Sequence, residues 1–343
     1  MVIMSVSGQV MKSIPAVSTY APVPSTGVGP MVNTSVGYRV EALGGGSYLL
    51  TDGVYQSWFL VTCNSVILVD APPTLGHNIL KGIRTVTDFP ISHVVYSHAH
   101  ADHIGAAYLL KSNHTMFIAH VETAAELAQA PNDTTRPAPT LTFTGDHTLK
   151  VCNQTLQLSY KGPNHQPGNI FIYAPEPKIL MLVDVIYPGW VPFDYLGESQ
   201  NIPGYITAHD QVLAYDFETF IGGHINRVGT RQDVTIQKEY ITDLRDNCIE
   251  AIRLSGLPPN ATNPLSVYTS LTAIEAANPG NSWALFNYYI DELLVDWVDN
   301  KTTEKWLGRL AGADVYGKSN AVIMLESVRI DFGMLGPYGV AES

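Results

Sequence analysis

Within six residues the chain carries three histidines and a carboxylate, His98-Ala99-His100-Ala101-Asp102-His103. Imidazole nitrogens and carboxylate oxygens are the donors that zinc and similar divalent ions take. A strand that ends in a sharp turn points alternate side chains the same way, so His98 and His100 can share one ion. Asp102 and His103, at the turn and the start of a following helix, reach toward a neighbouring ion. The small Ala99 and Ala101 let the backbone fold tightly between the ligands.

A two-ion site needs further ligands at the ends of later strands. His165 stands in Gly162-Pro163-Asn164-His165-Gln166-Pro167-Gly168, a turn between two strands, and suits completion of a three-histidine first site. Asp184 closes the apolar run Ile179-Leu180-Met181-Leu182-Val183. A carboxylate buried there requires a cation or dense hydrogen bonding, and a position between two ions satisfies it. His224 follows Phe220-Ile221-Gly222-Gly223, whose glycines permit close backbone approach. His77, His93, His114, His120, His147 and His209 have no metal-like spacing of their own and are read as structural.

The elements that must position these residues follow from pattern and punctuation. Short strand-like runs fall at 37–42, 48–51, 57–62 and 65–70, then a helix over 75–86. A buried strand at 91–97 runs into the histidine cluster, and a helix opens at Asp102 or His103, given the spacing of Ile104, Ala107, Tyr108 and Leu110. A strand at 115–119 and a helix at 121–130 continue the alternation. Strands then follow at 140–144, 148–151, 155–160, 169–173 and 178–183, with a helix near 205–215 and a strand at 219–222. Beyond Thr230 the pattern becomes helical, around 233–254, 264–277 and 282–299. The chain thus divides into an N-terminal arm (1–36, rich in Pro, Ser, Val and Gly), a two-sheet catalytic core flanked by helices (37–230) and a helical C-terminal extension (231–343).

Composition narrows the classes of partner. Of 343 residues, 45% are hydrophobic, enough for a sizeable core. A net charge of −12 and the absence of any basic run exclude general nucleic-acid affinity, which needs clustered Lys and Arg. No apolar stretch reaches the ~18–20 residues of a membrane span. Cys63, Cys152 and Cys248 are far apart and odd in number, so they are read as buried free thiols. The first residues lack the build of a signal peptide. Asn33, Asn113, Asn132, Asn153, Asn260 and Asn300 each begin an Asn-x-Ser/Thr sequon. With the low charge they point to an exported protein whose leader has been removed, a cytoplasmic location being the alternative.

The six-residue motif, with the later His, Asp and His in order over about residues 37–230, resembles the metallo-β-lactamase superfamily. The resemblance implies an α+β fold, a four-layer αβ/βα sandwich with a dinuclear site in the cleft between the sheets. It implies that His98, His100 and His165 hold one ion, that Asp102, His103 and His224 hold the other, and that Asp184 bridges them. Asp70, closing Val66-Ile67-Leu68-Val69, matches a family acid that supports the site, although Ala71-Pro72 follows where the family commonly has a small residue and then Gly. The implied cofactors are two divalent ions, with zinc best suited to an all-His/Asp set and manganese, iron or cobalt left open. Such ions activate water for hydrolysis, with Asp102 orienting the nucleophile and relaying its proton.

Residue types sort the branches. His100 stands where flavodiiron proteins place Glu, and Asp184 where many true β-lactamases have Cys or Ser. The remaining group is the dinuclear hydrolases, such as lactonases and glyoxalase II-like thioesterases. Tyr187, three residues after Asp184, resembles the arrangement in N-acyl homoserine lactone lactonases, in which a Tyr hydrogen-bonds the substrate carbonyl. Trp190, Phe193 and Tyr195, with Tyr55 and Trp58 from an early hairpin, are expected to wall the cleft and favour an apolar or aromatic small-molecule ester or lactone. Phosphotriester or β-lactam hydrolysis, a mononuclear iron dioxygenase and a non-catalytic metal-binding protein are the competing readings. The helical extension either completes the pocket or forms a homodimer surface.

Overall fold

The computed structural model describes residues 18–260 and 263–338 of the chain. The first sheet has seven strands in the order β1 to β7: Arg39–Gly44, Ser47–Thr51, Gln56–Val61, Val66–Val69, Ile91–Val95, Met116–His120 and Leu141–Phe143. Pairing is antiparallel from β1 to β4 and parallel from β4 to β7. The parallel crossovers carry α1 (Asn78–Arg84), the short α2 (Ala101–Ile104) and α3 (Val121–Ala128). The second sheet has five strands, β8 (Asp146–Val151), β9 (Gln154–Ser159), β10 (Phe171–Ala174), β11 (Ile179–Met181) and β12 (Thr219–Ile221), in the order β12-β11-β10-β9-β8. Between β11 and β12 lie α4 (Asp194–Glu198) and α5 (Ile202–Leu213). The extension holds α6 (Arg231–Ser255), α7 (Val267–Ala277), α8 (Ser282–Asn287), a π-helical stretch Tyr288–Leu294, α9 (Val295–Trp306) and α10 (Ala313–Ile330).

Three apolar cores separate four layers, giving the αβ/βα sandwich. Strand periodicity sends Trp58 and Leu60 of β3, and Ile172 and Ala174 of β10, into the space between the sheets. Their neighbours Phe59 and Phe171 face outward to the helix on either side. Strand β4, buried at every residue, reads as the unbroken Val66-Ile67-Leu68-Val69 because both its faces are covered. On α6, Val234, Gln237, Ile241, Leu244, Cys248 and Ala251 recur at helical spacing and close the second sheet's outer face together with α5, α9 and α10. Thr230 and Asp233 form a reciprocal capping box that starts α6. No helix among the described residues is long and apolar enough to cross a membrane.

The structure departs from the sequence reading at the histidine-cluster helix, at α10 and at the cysteines. The histidine cluster opens only a four-residue helix, followed by a 3-10 turn at Ala107–Leu110. The long α10 was not foreseen, since Gly317, Lys318, Ser319 and Asn320 interrupt its apolar pattern. The expectation of three free thiols is corrected: Cys63 and Cys152 form a disulfide across 89 residues, and only Cys248 is a buried free thiol. Cys63 lies in the β3–β4 turn and Cys152 in the β8–β9 turn, which meet at one end of the sandwich. Gln154 holds the same end by donating to Gly45 O and Val61 O at 2.8 and 3.0 Å. A pairing across that separation has no local signal.

Candidate metal centre

At the opposite end of the sandwich, strand ends converge. After β5 the backbone turns through Tyr96 and Ser97 into His98. The Ser97 amide donates to Asp70 Oδ1 at 2.8 Å, and the Ala71 amide donates to His103 O at 2.8 Å. The end of β4 therefore grips both ends of the motif. Asp70 is fully buried with φ 60°. Burial pushes its carboxyl up to about 6, against the opposing pull of His103 and Ser97. Ser97 Oγ lies 2.9 Å from His98 Nδ1 and turns His98 Nε2 inward.

His165 is fixed by its own turn: Asn164 Oδ1 accepts from the His165 amide at 2.6 Å and from Asn169 Nδ2 at 2.9 Å. Asp184, just past β11, has φ 63°, and its amide donates to Gly222 O at 3.1 Å. The loop after it is tied to the extension, because Gln237 of α6 accepts from the Tyr187 amide and donates to Val185 O, both at 2.7 Å. His224 follows Gly223, where φ is +90° and a Cβ would stand 2.6 Å from Val183 and 3.3 Å from His103. Only glycine permits that approach. Left-handed backbone at Asp70, Asp184 and Ile225 places strain at the site itself.

The seven sequence-derived ligand positions come together as two groups, His98, His100, His165 and Asp184, and Asp102, His103 and His224. Asp184 lies between them. Its Oδ2 is 3.6 Å from His98 Nε2, 3.4 Å from His165 Nε2 and 2.9 Å from His103 Nε2, and its Oδ1 is 2.9 Å from His224 Nε2. These approaches lack hydrogen-bond alignment: Asp184 Oδ1, His98 Nε2 and both nitrogens of His103 are buried without a hydrogen-bond partner. Each such atom costs ~1–3 kcal/mol unless something else satisfies it. His165 Nε2 and His100 Nδ1 lie 3.0 Å apart, and the remaining donors converge on shared points rather than on each other, which fits divalent cations.

The electrostatics agree. Burial, reinforced by neighbouring imidazoles, holds His98 well below its ordinary pKa, and burial brings His165 down to about 4, so both present neutral nitrogen. Burial resists charge on His103 as well, but Asp184, Asp102 and Asp70 raise it to about 9. Burial disfavours ionised Asp184, yet His103 and His224 outweigh it and hold the carboxyl well below its usual range. A cluster this rich in carboxylate charge calls for positive charge in its centre.

Above the cluster opens a cavity of about 590 Å³. Tyr55, Tyr187 and Phe193 line it, as expected from sequence. Tyr55 packs on His224 with ring centres 4.6 Å apart, and Tyr187 on Phe193 at 4.6 Å. Burial, with Asp102 adding to it, pushes the Tyr55 hydroxyl up to about 12. Burial and then Asp184 hold Tyr187 well above its ordinary value, so its O–H stays protonated. Three expected wall residues are not brought there. Trp58 is wholly buried between the sheets, Trp190 donates its indole N–H to Gly27 O at 2.8 Å, and Tyr195 points to solvent at 48% exposure.

Sequence reasoning missed the rest of the wall: Asp194, Gly197, Glu198 and, from α10, Tyr316. Residues Tyr195, Leu196, Gly197 and Glu198 all have φ between 53° and 68°, a left-handed turn. The three that are not glycine cost ~1–2 kcal/mol each in that conformation, so the turn must be held from outside. Its Leu196 is sunk in the core beneath the extension helices.

The likeness to known proteins agrees with this geometry. A chain from Pontibacter korlensis described as a metallo-beta-lactamase superposes with a TM-score of 0.52 at 18% identity, covering 60% of this chain and 99% of that one, which shows the fold. In sequence, the 2,4-dinitroanisole O-demethylase subunit alpha of Nocardioides sp. (strain JS1661) is 26% identical over 200 residues, 56% of this chain. The match spans 59% of that relative's length. The probable metallo-hydrolase YqgX of Bacillus subtilis (strain 168) is 24% identical over 197 residues, 54% of this chain and 89% of its own. The family model of the metallo-beta-lactamase superfamily matches residues 50–227, more than half of the chain and the whole span of the ligand groups. A sandwich with paired His/Asp ligand groups at its strand ends, matched over that span, belongs to the metallo-beta-lactamase superfamily.

Proposed function

We propose that the chain is a dinuclear metal-dependent hydrolase that opens a lactone or cleaves another carboxylic ester, with an apolar or aromatic substrate. The observation that carries the reading is Asp184, one carboxylate in reach of both ligand groups. His98, His100 and His165 would hold one ion, Asp102, His103 and His224 the second, and Asp184 would serve both, with Asp70 steadying His103 from behind. Divalent ions there, zinc by the chemistry of the donors, supply Lewis acidity and lower the pKa of water.

The chain's own residues do the rest. Asp102, whose side chain is 44% exposed at the cavity floor, accepts the proton of the attacking water and passes it to the leaving oxygen. Tyr187 donates its O–H to the carbonyl oxygen as negative charge develops there. Phe193, Tyr55 and Tyr316 provide apolar surface for the acyl or alcohol part, and neither Lys nor Arg lines the cavity.

The test is a substrate panel of lactones, aryl esters, thioesters, a cephalosporin and paraoxon, run before and after chelation and after zinc is restored. Metal-dependent turnover of lactones or aryl esters supports the reading, and turnover indifferent to metal overturns it. Faster hydrolysis of paraoxon would move the assignment to phosphotriesters, and one iron per chain would favour a mononuclear dioxygenase. A second reading has a specific motive, the relative named for O-demethylation of 2,4-dinitroanisole together with the aromatic wall. It is hydrolysis of an activated aryl methyl ether to the phenol and methanol, read as release of 2,4-dinitrophenol when 2,4-dinitroanisole is added to the panel.

A further inference from the structure

We propose that Asn320, on the last long helix, is a positioning residue that sets the Tyr187 hydroxyl over the metal centre by holding α4 in its left-handed turn. This deepens the hydrolase reading and rests on it for the role of Tyr187. Asn320 is fully buried. Its Oδ1 accepts from the Leu196 amide at 2.8 Å and its Nδ2 donates to Pro192 O at 2.8 Å, so one side chain clamps the segment before the turn and the turn itself. The neighbouring Ser319 adds a second tie, donating from Oγ to Asp194 Oδ1 at 2.9 Å. Nothing in the local sequence of Tyr195, Leu196 and Glu198 favours a left-handed path, so these contacts supply what the backbone lacks.

The turn bears directly on Tyr187. At Gly197, where φ is +68°, a Cβ would stand 2.3 Å from the Tyr187 hydroxyl and 3.1 Å from Asp184 O. The Gly197 backbone therefore lies against the phenol oxygen and fixes how far it reaches into the cavity. On its other side the Tyr187 ring is held by Phe193 at 4.6 Å and His224 at 5.9 Å. The chain of contacts from Asn320 through Leu196 and Gly197 to Tyr187 joins the extension to the reacting carbonyl without Asn320 touching substrate.

Steady-state kinetics and a structural probe test the proposal together. Asn320→Ala is expected to lower kcat about tenfold or more, as misplacement of a donor by an ångström does, with KM and bound metal close to the parent protein's. In a Tyr187→Phe background the same change should alter kcat by less than about twofold, because both act through one hydroxyl. Gly197→Ala sets a methyl group against the phenol oxygen and should reproduce the loss if Asn320→Ala folds poorly. In protein carrying 3-fluorotyrosine, the fluorine resonance absent from Tyr187→Phe identifies Tyr187, and Asn320→Ala or Gly197→Ala should shift it. Equal losses in both backgrounds, or an unmoved Tyr187 resonance, overturn the proposal. The resonance reports on positioning even if no ester is turned over, so failure of the clamp and failure of the hydrolase reading are told apart.

Discussion

The ligand groups draw on four segments between residues 98 and 224, and every donor sits just past the end of a strand, in a turn between strands or on the short α2. The cavity wall above them draws on Tyr55 after β2, on the loop around Tyr187 and Phe193, and on Tyr316 in α10. The first region depends on the sandwich and the second on how the extension is packed against it. Metal holding and cavity shaping thus rest on different parts of the fold, and substitutions in the two regions should fail in different ways.

The sharpest break comes from Asp184→Asn, which keeps the shape of the residue and removes its charge from between the two groups. kcat/KM is expected to fall by about a thousandfold or more, the scale of several kcal/mol of lost transition-state stabilisation, and elemental analysis should show less bound metal. Unchanged metal content and activity would dissolve the distinction between the regions.

Two aromatic substitutions sharpen it from the other side. Trp58→Ala empties a wholly buried site between the sheets and should cost about 3–5 kcal/mol of stability in denaturant titration, with substrate preference unchanged. Phe193→Ala should instead raise KM for aryl esters and cost less stability than Trp58→Ala, because its side chain is only half-buried. If Trp58→Ala altered substrate preference, the assignment of the wall would be wrong.

Cys63 and Cys152 stand at the end of the sandwich away from the ligand groups. Replacing both with Ser should lower stability by about 3–4 kcal/mol, since the bond closes a long loop, and leave kcat in place. A matched loss of activity would contradict that separation.

The smallest effect concerns pH. His209, fully buried, lies 3.0 Å from Tyr205 O through Nδ1 and 3.1 Å from Gln237 through Nε2, and burial lowers its pKa to about 4. Between about pH 6.5 and pH 4 the unfolded chain binds a proton that the folded chain refuses, so stability falls as pH drops through this window, by roughly 3 kcal/mol. His209→Gln should flatten that part of the stability–pH curve, and an unaltered slope would mean that His209 is already charged in the folded protein.

How much was legible in sequence follows the same division. Three histidines and a carboxylate within six residues need only one strand and one turn to meet, and His165, Asp184 and His224 each announce themselves at the close of an apolar run or in a glycine-bearing turn. Trp58 was misjudged because Gln56-Ser57-Trp58-Phe59-Leu60-Val61 is covered on both faces, so no alternation of polarity says which way the indole points. Tyr316 and Asn320 were invisible because their contacts with Phe193 and Leu196 span more than a hundred residues, and Gly197 because a left-handed turn at Tyr195 and Leu196 runs against local preference. The disulfide was hidden by its own separation of 89 residues.

The central claim, two ions shared by one carboxylate, is tested most directly by counting bound metal in the purified protein and in Asp184→Asn while following hydrolysis of a lactone. Two divalent ions per chain are expected, with activity lost on chelation and regained as the second equivalent is added, and a deficit of metal in the variant. One ion per chain with full activity, or activity indifferent to metal, would contradict it.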